Sequence, residues 1–169
     1  MFYEVAVQQN IRILKNLSAI LAKSAAYADS KKFEMDVLLK AYLAPDQFNL
    51  TRQVQIACDM AKATAARLAG REIPAHEDNE KTVGELQARI AKVVSYLETF
   101  TAKDFVGAAE RRITQPRWEG KTLSGTEFLT QWSIPNVYFH VTTAYAILRH
   151  NGVEVGKKDY LGEINYRSN

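Results

Sequence analysis

Asn136 and His140 are the residues of this chain whose types and spacing most plainly could do chemistry. They lie in Pro135-Asn-Val-Tyr-Phe-His140, and a spacing of four puts both on one helix face, able to converge on a single point. Two histidines at that spacing would be half of a metal site. With an amide in the first place, the pair becomes an imidazole with a neutral neighbour. Cys58 is the one thiol of the chain. A lone helical cysteine is more often a small buried hydrophobe than a nucleophile, and it excludes an intrachain disulfide and a Cys-rich metal site. His76, beside Glu77, Asp78 and Glu80, reads as part of a solvated turn. His150 reads as a cation at a helix C-terminus, where the dipole favours it.

The elements that must position these residues follow from apolar periodicity. The first helix is predicted from about Phe2 to about Tyr27, with Phe2, Ala6, Ile13, Leu17, Ile20 and Ser24 on one side. A connection with a short helical turn at 36–42 leads to the second helix, from about Leu50 to about Leu68. Val54, Ala57, Ala61 and Ala65 point inward there, and Gly70 sits where a left-handed cap belongs. Thr82 and Glu85 form a capping box that opens the third helix, whose stripe is Leu86, Ile90, Val93, Leu97 and Phe100. Glu85 and Arg89 read as an outer i,i+4 pair.

Between 111 and 123 the residues alternate weakly around Glu119-Gly120, which predicts a short β-hairpin. Its cations, Arg111, Arg112, Arg117 and Lys121, flank Trp118, a composition able to grip a nucleic-acid backbone. Glu110 and Glu119 dilute it, and a solvated hairpin is the preferred reading. Ser124 and Glu127 form a second capping box, opening a short helix that is expected to end near Trp132. The last helix is expected from Pro135 to Asn151-Gly152, apolar nearly all round and therefore the most buried. Together these predict an all-α four-helix bundle occupying 1–169 as one domain.

Composition agrees. Of 169 residues, 47% are hydrophobic and 24% charged, and Gly (8) and Pro (4) are sparse, as in an ordinary helical globular protein. A net charge of +3 is too weak to imply nucleic acid by itself. No signal-peptide pattern opens the chain and no run approaches a membrane span, so a cytoplasmic protein without membrane attachment is expected.

The run Asn136-x-x-x-His140 followed by Ala144-Tyr-Ala-Ile-Leu-Arg149-x-Asn151-Gly152 resembles the last helix of the DinB/YfiT-like superfamily, in an uncharacterised branch known as a domain of unknown function. There this helix usually carries His-x-x-x-His, and a third histidine sits on the second helix in a pattern like His-Ile-Ala-Glu. Gln55-Ile56-Ala57-Cys58-Asp59 matches that stretch, so the resemblance puts Gln55 in the place of the histidine. It implies an up-down-down-up bundle, frequent homodimers, and zinc or nickel on three histidines, serving thiol transferases or hydrolases.

This chain departs at two of the three ligand positions, since Gln55 and Asn136 are amides, poor ligands for zinc. Asp59, one turn from Gln55, supplies a carboxylate that with His140 would make two genuine ligands. Three readings follow. Gln55, Asn136 and His140 form a buried hydrogen-bonded remnant of a metal site; they form a metal-free pocket for a small molecule, with Asp59 and Tyr145 as neighbours and His140 as a base; or a weakly held divalent metal (zinc or nickel) on His140 and Asp59 supports thiol-transfer or hydrolytic chemistry. The preferred expectation is a homodimeric DinB-like protein with a degenerate metal-triad pocket, small-molecule-binding or vestigial, for which nucleic acid is not the expected partner.

Overall fold

Helical periodicity covers most of the chain, and the computed structural model, which describes residues 1–167, is all-α. Its long helices are α1 (Asn10–Lys31), α3 (Leu50–Ala69), α4 (Val83–Leu97) and α6 (Ile134–His150), with short helices α2 (Asp36–Leu39), α5 (Gly125–Glu127) and α7 (Lys157–Leu161). A π-helical segment, Glu4–Gln9, leads into α1 without a break. The long helices close a ring: α1 packs on α4, α4 on α3, α3 on α6 and α6 on α1. Each apolar stripe thus meets two others around a common core.

The ends of these helices follow their local chemistry. Asn49 caps α3 by accepting from Arg52 N, and Gly70 ends it at φ 69°. The Thr82/Glu85 and Ser124/Glu127 capping boxes both form. Small residues decide the seam between α3 and α6, where Ala57, Ala61 and Ala65 are fully buried and let the helices approach closely. Leu14, Leu17, Leu68, Leu86, Leu97, Phe128, Ile147 and Leu148 fill the rest of the core. Among the described residues, no helix is long and apolar enough to cross a membrane.

Several expectations need correction. α3, not the last helix, is the most enclosed: thirteen of its residues are buried, against six in α6. α6 keeps a solvent face that includes Phe139 (56% exposed) and Thr142. Its start is not a new helix at Pro135, because a π-helical segment, Phe128–Ser133, joins α5 to α6. Pro135 has no N–H to continue the ladder, and it stands at the join where π-helical bonding gives way to the α-helix. The expected hairpin shrinks to one antiparallel bridge, Ile113 with Leu123, since Pro116 cannot donate to a ladder and Pro116–Trp118 coils into a 3-10 turn. Arg89 is not on an outer face at all. It is buried, and Glu85 serves the cap alone.

Candidate functional site

α3 carries polar residues on two faces, and each meets a different neighbour. Gln53 and Gln55 are two apart, about 200° around a helix of 3.6 residues per turn. Gln53 therefore turns to α6 and Gln55 to α4 and the loop 71–81. Hydrogen bonds bear this out. His140 Nδ1 lies 2.7 Å from Gln53 Oε1, whereas Gln55 Nε2 donates to Glu80 Oε2 at 2.9 Å and its Oε1 accepts from Arg52 at 3.3 Å. Among the described residues, no hydrogen bond joins Gln55, Asn136 and His140 to one another.

The α3–α6 pair fixes a tautomer. Gln53 Nε2 donates to the Phe48 carbonyl at 3.1 Å. A carbonyl can only accept, so the amide nitrogen must face it and the amide oxygen must face His140. That oxygen also only accepts, so Nδ1 carries the imidazole proton and Nε2 keeps its lone pair. Burial, and next the positive charge of Arg52, hold the half-buried His140 below the usual histidine pKa. At neutral pH it is an uncharged imidazole with an open acceptor nitrogen.

Asn136, one turn before it, donates Nδ2 to the Trp132 carbonyl at 2.6 Å, in the junction with the π-helical segment. Its Oδ1 accepts nothing from the described residues. The helix thus offers two acceptors on one face, Asn136 Oδ1 and His140 Nε2. Phe139 stands edge-on to the imidazole, with ring centres 5.2 Å apart. Tyr145 lies further along and belongs elsewhere: its ring meets Tyr160 at 6.0 Å and its hydroxyl reaches the Val155 carbonyl.

The α3–α4 seam is ionic. Arg89, with its side chain 2% exposed, pairs with Asp59 and Asp78 at 2.9 Å and with Glu80 at 3.0 Å. Lys62, also buried, pairs with Asp59 at 2.9 Å, and Arg52 pairs with Asp78. Burial alone would raise Glu80, but hydrogen bonds from Arg89 and Gln55 outweigh it and hold its carboxyl below the usual range. The loop 71–81 is largely exposed, as expected, but Asp78 and Glu80 pin it to the helices by ion pairs. Above it opens a cleft of about 540 Å³ lined by His76, Glu80, Glu85, Arg89 and Lys92. Cys58 is fully buried, and burial pushes its thiol up to about 12, out of nucleophilic range at neutral pH.

These residues do not fit a three-ligand metal. Asp59 is neutralised by Arg89 and Lys62, Gln55 is taken up by Glu80, and Arg52 sets a positive charge near His140. Among the described residues, no three His, Cys, Asp or Glu side chains gather as a metal site. Gln53 lies outside the family pattern that points to Gln55. Its signal was available, since it precedes Ala57 by one turn and so continues the inward stripe from which Gln55 departs.

The all-α bundle, with its four long helices, is that of a DinB-like protein. The model of a family described as a domain of unknown function (DUF1993) matches residues 2–161, and the chain belongs to that family. A crystal structure of a DinB family member from Shewanella denitrificans is 57% identical, with a TM-score of 0.97 over 100% of this chain and 96% of that one. No curated protein gives a significant match.

Proposed function

We propose that this protein binds a small neutral molecule at the α6 face of His140 and Asn136, on a bundle whose ancestral metal triad has decayed. The observation that carries this reading is the chain Phe48 O–Gln53–His140, which holds the imidazole in one tautomer with Nε2 open. Two acceptors a turn apart call for a ligand that presents N–H or O–H donors. The charge of Arg52 disfavours a cation there, and the apolar ring of Phe139 suits a partly hydrophobic body. His140 could take a proton from such a ligand, but among the described residues no nucleophile is hydrogen-bonded to it, and binding is the function supported. Gln55 and Asp59 belong to this reading as supports of the helix behind the site.

The test is a thermal-shift screen of small polar compounds against the full chain. Compounds that raise the melting temperature should lose their effect in His140→Ala and Asn136→Ala. Shifts that persist in both variants would place binding elsewhere.

We also propose that it works as a homodimer in the cytoplasm. Support for the dimer comes from exposed Tyr42, Leu43 and Phe139 beside a groove of about 440 Å³ lined by Leu43, Tyr138, Phe139, Thr142, Thr143 and Ala146. A protruding ring and a groove on one face are what a two-fold interface requires. Sedimentation should give twice the chain mass, falling to one chain in Phe139→Glu, and cell fractionation tests the location.

A further inference from the structure

At the end of the bundle where α3 finishes, Arg67 and Arg117 come together, and among the described residues no carboxylate forms an ion pair with either. Arg117 lies over the Trp132 ring, 4.7 Å from its centre. Trp132 adjoins Ser133, whose hydroxyl bonds to Thr64 of α3, and Arg67 follows Thr64 by one turn. Arg67 and Arg117 are thereby brought to the same corner. Burial, and next the charge of Arg117, depress the pKa of half-buried Arg67. Among the described residues, neither arginine forms an ion pair or a side-chain hydrogen bond within the chain.

Helix capping does not account for them. Arg111 already donates Nε to the Leu68 carbonyl at the end of α3, at 3.1 Å. Glu127, the acid of the nearby capping box, accepts from Ser124 N and Oγ through Oε2 and forms no ion pair among the described residues. A third donor in the same loop is unsatisfied: Gln115, two residues before Arg117, is buried with Nε2 unpartnered. Two like charges held together, one half-desolvated, are unfavourable unless an anion joins them. Guanidinium groups match the tetrahedral oxygens of phosphate through paired N–H donors, and stacking on Trp132 leaves the N–H edge of Arg117 free.

We propose that Arg67 and Arg117 form a phosphate-binding site, separate from the His140 face, for the phosphate group of a small phosphorylated molecule. The backbone of a single-stranded nucleic acid offers the same group, and the experiment separates the two sources. Both tryptophans of the chain, Trp118 and Trp132, stand in this corner with rings 5.2 Å apart, so intrinsic fluorescence reports on it locally.

The full chain is titrated with inorganic phosphate and pyrophosphate, and separately with a 12-nucleotide oligothymidylate, at ionic strength matched with sodium chloride. A saturable change in tryptophan emission with phosphate or pyrophosphate, absent with chloride, is expected. Calorimetry should show at least tenfold weaker binding in Arg67→Gln and Arg117→Gln. Arg112→Gln, whose guanidinium bonds only to Thr122 Oγ1, should bind as the parent does. Circular dichroism melts identify any variant that is misfolded. If only the oligonucleotide binds, and does so through these two arginines, the phosphate site stands and its source is the nucleic-acid backbone. Phosphate and oligonucleotide acting no more than chloride, or binding unchanged in the Arg67→Gln/Arg117→Gln double variant, would overturn the proposal.

Discussion

The two polar seams of α3 show how differently one helix can bury hydrogen-bonding groups. Toward α4 it sets charge against charge: Arg89 and Lys62 meet Asp59, Asp78 and Glu80, and the network ties a loop without regular structure to two helices. Toward α6 it sets an amide against a neutral imidazole, with one nitrogen left open. The ionic seam pairs Asp59, Asp78 and Glu80 with cations, although Arg89 Nε and His76 Nδ1 stay buried without a partner among the described residues, and it is read most simply as architecture. The neutral seam leaves acceptors unspent, which is why the proposed binding function rests there and not beside the larger cleft.

That contrast breaks first at Arg89. Arg89→Met should remove about 3 kcal/mol of stability, because Glu80 would lose its cation while remaining enclosed and Asp59 would keep only Lys62. Urea denaturation measures it. A loss below about 1 kcal/mol, the range of exposed pairs, would mean that water screens the network and the loop 71–81 is not held by it. Gln53→Ala should cost less, about 1–2 kcal/mol, by stripping His140 Nδ1–H of its acceptor and the Phe48 carbonyl of its donor. Gln55→Ala leaves the His140 tautomer unchanged, and that difference separates the seams.

Most of the scaffold is legible in the sequence because helix formation is local. The Ala57, Ala61 and Ala65 stripe, the two capping boxes and Gly70 each carry their own signal, and all fall where the structure has them. The site is less legible because it depends on which way each polar residue turns. Gln55 fits the family pattern better, yet Gln53 lies on the stripe facing α6. Arg89 is four residues from Glu85, which favours a surface pair. Its acidic partners come from α3 and from 71–81, segments whose approach no local spacing reveals. Pro135 marks a helix start by ordinary rules, and nothing local shows that a π-helical segment carries the chain through from α5.

The seams should also titrate apart. His140 is held below its ordinary pKa of 6.5 by burial and Arg52, so the unfolded chain binds its proton more readily. Its contribution to stability is present above pH 6.5 and is lost as pH falls through the lower folded value. Glu80, held below its ordinary 4.5, contributes above that pH and loses its share only in more acidic solution. Equilibrium unfolding from pH 8 to pH 3 should therefore decline in two stages. His140→Gln should flatten the first and leave the second. A first stage that survives the substitution would assign it to His76, whose pKa is likewise lowered by burial.

The smallest effect concerns Cys58. Its enclosure between the seams predicts negligible reaction with a thiol reagent in native buffer, and one equivalent in urea. Rapid native labelling would show that the ionic seam opens readily.

The most direct measurement is the nitrogen-15 spectrum of labelled histidine in the full chain at neutral pH. An uncharged His140 protonated on Nδ1, with an unprotonated Nε2, is the predicted result. A His140 protonated on Nε2, or an imidazolium, would contradict the Gln53 assignment and remove the acceptor on which the proposed binding depends.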